Sequence, residues 1–200
     1  MKSLQKLQEN HNKKCTCALK QTATQAVFGN GNEKATIVFI GEAPGKEEDK
    51  EGRPFIGRSG KFLNEMLKMI GMKREDVYIT NTVKYRPPDN RDPLPEEKSA
   101  CLPWLVEELK MIRPTLVITL GRHAAGTFFP EGKISEIHGK LLKKKVNFVV
   151  DEKKISMPTE YYFPLYHPAA ALYNGAMRET LIKDFKKIPK ILKTIEKSNI

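Results

Sequence analysis

Three polar side chains stand at the ends of short runs of branched and aromatic residues. Glu42 follows Thr36-Ile37-Val38-Phe39-Ile40-Gly41, Asn81 closes Tyr78-Ile79-Thr80, and His167 follows Tyr162-Phe163-Pro164-Leu165-Tyr166. A carboxylate, an amide and an imidazole can between them orient a water, read a hydrogen-bonding edge and support a departing anion. The amide of Asn81 offers one donor and one acceptor in fixed geometry, which matches the O4 and N3–H edge of uracil, whereas cytosine would present like groups to the same orientation. Cleaving a base from its sugar builds negative charge on the base and positive charge on the ribose ring. An imidazole such as His167 beside the base, and a carboxylate such as Glu42 or Glu48 beside the sugar, would each stabilise that charge. Taken singly, Asn81 equally suits a turn or cap and His167 a structural turn.

The stretch from Gly41 to Gly60 reads GEAPGKEEDKEGRPFIGRSG and is expected to be a glycine- and proline-rich loop between a strand and a helix. Main-chain groups approach a ligand closely in such loops. Phe55 lies between Pro54 and Gly57, where its sequence neighbours offer little apolar surface, so it is a candidate to stack on a base. Glu47, Glu48 and Asp49 add carboxylates, most of them expected to be exposed. Arg58-Ser59-Gly60 opens the following helix, with Ser59 able to cap it and its amides able to meet a phosphate. The later segment Lys84 to Pro95, KYRPPDNRDPLP, joins basic side chains such as Arg86 to stiff prolines that could press on a DNA backbone.

These groups need a frame. Four apolar segments, Thr36 to Ile40, Val77 to Thr82, Thr115 to Leu120 and Tyr162 to Tyr166, alternate with helical patterns over 61–70 and 95–112. Alternation of this kind predicts an α/β domain with a mostly parallel four-stranded sheet, whose strand ends would bring Glu42, Asn81, Gly121 and His167 to one rim. Residues 133–157 read as an excursion of short strands. A lysine-rich helix interrupted near Pro189 is expected at the C-terminal end.

Two hundred residues fit a single domain, 1–200, with an adequate core. The net charge of +11 favours a polyanionic partner, nucleic acid being the commonest. No apolar run is long enough to span a bilayer and Met1 to Lys14 is polar, so the expectation is a cytoplasmic protein without a membrane partner. Three cysteines, Cys15, Cys17 and Cys101, favour free thiols or a metal centre over disulfides.

Gly41-Glu42-Ala43-Pro44-Gly45, Arg53-Pro54-Phe55-Ile56-Gly57, Thr80-Asn81-Thr82-Val83-Lys84 with Arg86-Pro87-Pro88, and Tyr166-His167-Pro168-Ala169 resemble, in this order and spacing, the family 4 uracil-DNA glycosylases. The resemblance runs from about Cys15 to the C-terminal helix. It implies a three-layer α/β/α sandwich and a monofunctional enzyme, a monomer acting on uracil-containing DNA by flipping the base and hydrolysing its N-glycosidic bond to start base excision repair. By position, Phe55 would stack on uracil, Asn81 would read its edge, and His167 would stabilise the leaving base. Glu42 and Glu48 would sit beside the sugar and water, and Leu172 would be the wedge entering DNA. A non-catalytic binder of damaged DNA and a glycosylase with broader taste for deaminated bases are the alternatives.

The resemblance also implies a 4Fe-4S cluster on four cysteines. Cys17 and Cys101 match that pattern, Cys15 substitutes for a position held by Lys14, and Tyr85 stands where the third cysteine is expected. Either three thiolates hold a cluster with a ligand of another type, or the corner is packed without metal.

Overall fold

The structure is a computed structural model and describes residues 3–198. Four parallel strands form its centre: β2 (Ile37–Gly41), β3 (Tyr78–Asn81), β4 (Leu116–Leu120) and β8 (Tyr161–Leu165). The expected four-stranded sheet is corrected to six strands, because β1 (Asn30–Gly31) pairs antiparallel with β3 and β5 (Leu142–Lys143) pairs antiparallel with β8. Two-residue strands carry no alternation and leave no trace in the apolar pattern. Residues 147–156 form a separate hairpin of β6 (Asn147–Val150) and β7 (Lys153–Ser156). They follow a single helical turn, α6 (Ile134–Ile137).

Alternate residues of the central strands enter opposite cores, as strand geometry requires. Ile37, Phe39, Ile79 and Ile118 pack with α3 (Arg58–Met69), α8 (Gly175–Phe185) and α9 (Ile188–Ser198). Val38, Ile40 and Val117 face α4 (Pro95–Ile112) and α5 (Arg122–Phe128) on the other side. The result is the expected α/β/α sandwich with a mostly parallel sheet. The C-terminal helical stretch breaks between Phe185 and Ile188, and Pro189 sits in the first turn of α9, where its missing N–H costs no hydrogen bond. Among the described residues, no helix is long and apolar enough to cross a membrane.

A third apolar cluster joins α1 (Leu4–Lys14) to α4 and contains all three cysteines together with Phe28, Val83 and Tyr85. Between this cluster and the sheet lies an ion pair with no exposure to water, Lys84 with Glu108. Lys84 Nζ also donates to Thr80 Oγ1 and to the carbonyl oxygen of Asn81, each at 2.8 Å. Glu108 accepts from Tyr78 Oη at 3.0 Å and from the Gly29 amide at 3.1 Å. Every charge in this network has partners, the condition under which a buried pair is tolerated. Replacing Lys84 by Met strands the Glu108 carboxylate, and the expected cost is about 3–5 kcal/mol, read as a lower unfolding midpoint in a denaturant titration.

Candidate active site

A cleft of about 540 Å³ opens at the carboxyl ends of the parallel strands. Glu42, Glu48, Phe55, Asn81 and His167 line it, so the residues expected at one rim from distant parts of the sequence do meet. Arg58, Ser59 and Leu172 line it too, along with Pro87, Asn90, Arg91 and Tyr173.

Gly41 is the floor of this arrangement. A Cβ there would collide with Asn81 Oδ1 and with the Phe55 ring, so only glycine lets the two side chains close over the end of β2. Asn81 is 1% exposed and its Oδ1 has no hydrogen-bond partner. An unpaired buried acceptor beside a cleft is a place for a ligand donor.

Phe55 is not the isolated loop aromatic that its sequence neighbours suggest. Its ring belongs to the core formed with α3 while still lining the cleft, and it lies 5.7 Å from the His167 ring between centroids. The backbone at Phe55 is left-handed, with φ 52°, a strained conformation for a bulky residue. Two side chains hold the turn. Glu48 Oε1 accepts from the amides of Ile56 and Gly57 at 2.9 and 2.8 Å. From the other side, Arg74 donates to the carbonyls of Pro54 and Phe55 at 2.5 and 3.0 Å. A Cβ on Gly60 would strike the Phe55 backbone, so the first turn of α3 can press against the clamped turn only with glycine there. Glu48 is thus seen fastening the loop under Phe55, and Arg74 is a positioning residue that its place on an exposed-looking turn concealed.

His167 caps α7 (Pro168–Ala171), its Nδ1 accepting from the Ala169 amide at 3.1 Å. That bond leaves the proton of the neutral ring on Nε2. Burial pushes the His167 pKa down to about 4, so the imidazole is an uncharged donor near neutrality. Burial acts the opposite way on Glu42, raising its carboxyl to about 7, with Asp92 adding repulsion.

Two further residues, Asp92 and His123, approach Glu42 without lining the cleft and without being singled out by any motif. One ligand-type atom from each of Glu42, Asp92 and His123 lies within 4.8 Å of the others. His123 Nδ1 is 3.6 Å from Glu42 Oε1 and its Nε2 is 3.0 Å from Asp92 Oδ2. Only the proximity of His123 to the strand end at Gly121 signals it.

Several expectations need correction. The stretch from Gly41 to Gly60 is not all loop: α2 (Lys46–Glu51) forms within it, started by three acidic residues that suit a helix N-terminus. Asp49 is buried, not exposed, and accepts from the Thr24 amide and hydroxyl at 2.9 and 2.7 Å. Ser59 does not cap α3, because the helix starts at Arg58 with Gly57 at the N-cap and no side-chain cap bond. Arg86 lies outside the residues lining the cleft, its Nε bonded to Asn90 Oδ1 at 2.8 Å, while Arg91 reaches the cleft and pairs with Glu97. Leu172 packs partly into the core, and the exposed aromatic of that loop is its neighbour Tyr173, 79% exposed.

Away from the cleft, Cys15, Cys17 and Cys101 are free, buried and in one cluster, so the three thiols converge. Tyr85 joins them at 3% exposure.

A fold of this topology with a carboxylate, an amide, an aromatic ring and an imidazole around one strand-end cleft defines a base-excising class of enzyme. The family model described as "Uracil DNA glycosylase superfamily" matches residues 28–193. A type-4 uracil-DNA glycosylase of Sulfurisphaera tokodaii is 44% identical over 100% of this chain and 90% of its own. Its counterpart in Archaeoglobus fulgidus is 47% identical over 86% of this chain and 84% of its own, and that of Thermotoga maritima 41% over 90% and 91%. The chain belongs to the type-4 uracil-DNA glycosylases of that superfamily.

The raised carboxyl has a consequence for stability. Between its ordinary value of 4.5 and about 7, the folded state keeps a proton on Glu42 that the unfolded chain has released. This group therefore makes the fold less stable as pH rises through that window. Glu42→Gln should melt above the parent at pH 8 and lose that advantage near pH 4, as thermal melts at the two pH values would show.

Proposed function

We propose that the cleft receives a uracil turned out of DNA and that Asn81, Phe55, His167 and Glu42 divide the work of releasing it by hydrolysis. The activity is that of a uracil-DNA glycosylase. The observation that carries the division of roles is the unpaired, buried Oδ1 of Asn81. It needs an N–H donor, and uracil N3–H supplies one where cytosine N3 has only a lone pair. The Phe55 ring, with its turn clamped by Glu48 and Arg74, forms the wall on which the base stacks.

As the glycosidic bond opens, negative charge gathers on the base. His167 meets it as a neutral Nε2–H donor, since its depressed pKa makes proton donation from an imidazolium unavailable at pH 7. The complementary role falls to Glu42, which, once ionised, draws a proton from the attacking water and faces the cationic sugar. Glu48 acts through the Phe55 turn. Tyr173, held at the rim by Arg58 Nη1 at 3.2 Å, is the side chain best placed to fill the gap left by the departed base, a role the sequence assigned to Leu172. Arg58 and the overall charge of +11 favour the phosphate backbone. All these groups come from one copy of the chain, so the reading needs no second subunit.

The cysteine corner is the place for the family's iron–sulfur cluster. Three buried free thiols have the right donor chemistry and are one ligand short. When bound, such a group would tie the segment after α1 to α4, in an apolar cluster that packs against Ala43 at the edge of the cleft.

A uracil-containing oligonucleotide incubated with the protein and then treated with alkali should be cut at the uracil. An intact strand at stoichiometric protein, with binding retained, would instead make it a damage-binding protein. Asn81→Asp should lower uracil excision by on the order of 100-fold, the scale of losing one transition-state hydrogen bond, with DNA affinity nearly unchanged in a gel shift. Single-turnover rates should climb with pH through an inflection near the Glu42 value of about 7, and this limb should vanish in Glu42→Gln.

A further inference from the structure

One imidazole in the cysteine corner carries a ring nitrogen without a hydrogen-bond partner. His11, on α1, is fully excluded from water. It sits one turn before Cys15, whose amide donates to the His11 carbonyl at 2.8 Å, so the two side chains project from adjacent turns of the same helix face. The His11 ring lies against the Cys15 thiol. Its orientation is fixed by three rings: it stacks on Tyr85 at 5.2 Å between centroids and meets Phe28 and Trp104 edge-on at 4.8 and 5.0 Å.

The two ring nitrogens have different surroundings. Nδ1 faces Asn12 Oδ1 at 3.5 Å, the outer limit of a hydrogen bond. Nε2 is buried with no hydrogen-bond partner, and in the tautomer with the proton on Nδ1 it presents a lone pair. Burying an unsatisfied polar atom is costly, and a histidine whose other nitrogen is already engaged is the form in which imidazole binds metals. The ring also packs on Tyr85, the residue standing where the family resemblance places a cysteine ligand. His11 therefore places an imidazole against the residue that stands where a thiol is expected.

We infer that His11 Nε2 is the fourth ligand of a metal centre whose other ligands are the thiolates of Cys15, Cys17 and Cys101. Three thiolates and one imidazole suit an iron–sulfur cluster with one histidine ligand, whose ligands stand farther apart than those of a single ion; among the described residues no three of these four groups lie as close together as one zinc ion requires. The inference rests on reading the corner as a metal centre and is independent of the uracil chemistry in the cleft.

The test is metal analysis of the full chain purified without oxygen and reconstituted in separate arms with iron plus sulfide or with zinc. Wild-type protein should retain the iron–sulfur cluster after gel filtration, read by visible absorption and acid-labile sulfide, whereas retention of zinc alone at full stoichiometry would overturn this reading. His11→Gln should lose the cluster, by more than the roughly 10–100-fold in affinity that loss of an outer-shell partner costs. His11→Cys should restore it, and Tyr85→Phe should keep it. X-ray absorption at the metal edge of the unmutated protein needs no folded variant, and should show one nitrogen scatterer among sulfurs. Wild-type protein that holds no cluster, a His11→Gln protein that keeps full occupancy, or a first shell of sulfur alone would each overturn the assignment. Uracil excision measured on the same samples tells whether the cleft chemistry stands or falls separately.

Discussion

A lysine and a glutamate with no contact with water hold the strand that carries Asn81. Lys84 binds the carbonyl of Asn81 and the carboxylate of Glu108, and Glu108 reaches back to Tyr78 at the start of the same strand and to Gly29 beyond it. The pair thus ties β3 to α4 across the side of the sheet next to the cysteine corner. An apolar pair could fill the same volume at similar or greater stability. It could not fix the peptide of Asn81, and the side chain of Asn81 has no other anchor, since its Oδ1 is unpaired. The precision of the cleft begins at this buried charge.

Opposed burial effects give the cleft its acid–base character. The same exclusion from water that holds His167 uncharged raises the carboxyl of Glu42 toward neutrality. A neutral donor and a carboxylate poised to ionise in one cleft are the pair that the proposed glycosidic cleavage would call on. Asp92 reinforces the second effect from a loop that also carries the rim residue Arg91. The cleft and the loop before α4 are therefore electrostatically one unit.

The rim was legible in the sequence because strand ends can be read from apolar runs, and a parallel sheet brings all such ends to one edge. Glu42, Asn81 and His167 were found in this way. Phe55 was found for a reason only half right: its ring faces the cleft, but it is also core, because Arg74 and Glu48 bend its backbone into a conformation no local pattern announces. Asp92 and His123 meet Glu42 only through the packing of α5 against the loop before α4, which leaves no periodic signal. The helix α2 lacks an apolar face altogether and is fastened instead by Asp49 bonding to Thr24. Side chains that bind main chain across the fold are invisible to periodicity, and this site relies on several.

Both margins of the sheet end in strands of two residues, and one of them runs into Lys143-Lys144-Lys145, all exposed. So short a border leaves few free amides and carbonyls for a stranger's backbone, and the lysines repel whatever copy of the chain approaches along it. These short, charged borders discourage a further strand from adding to the buried inner sheet.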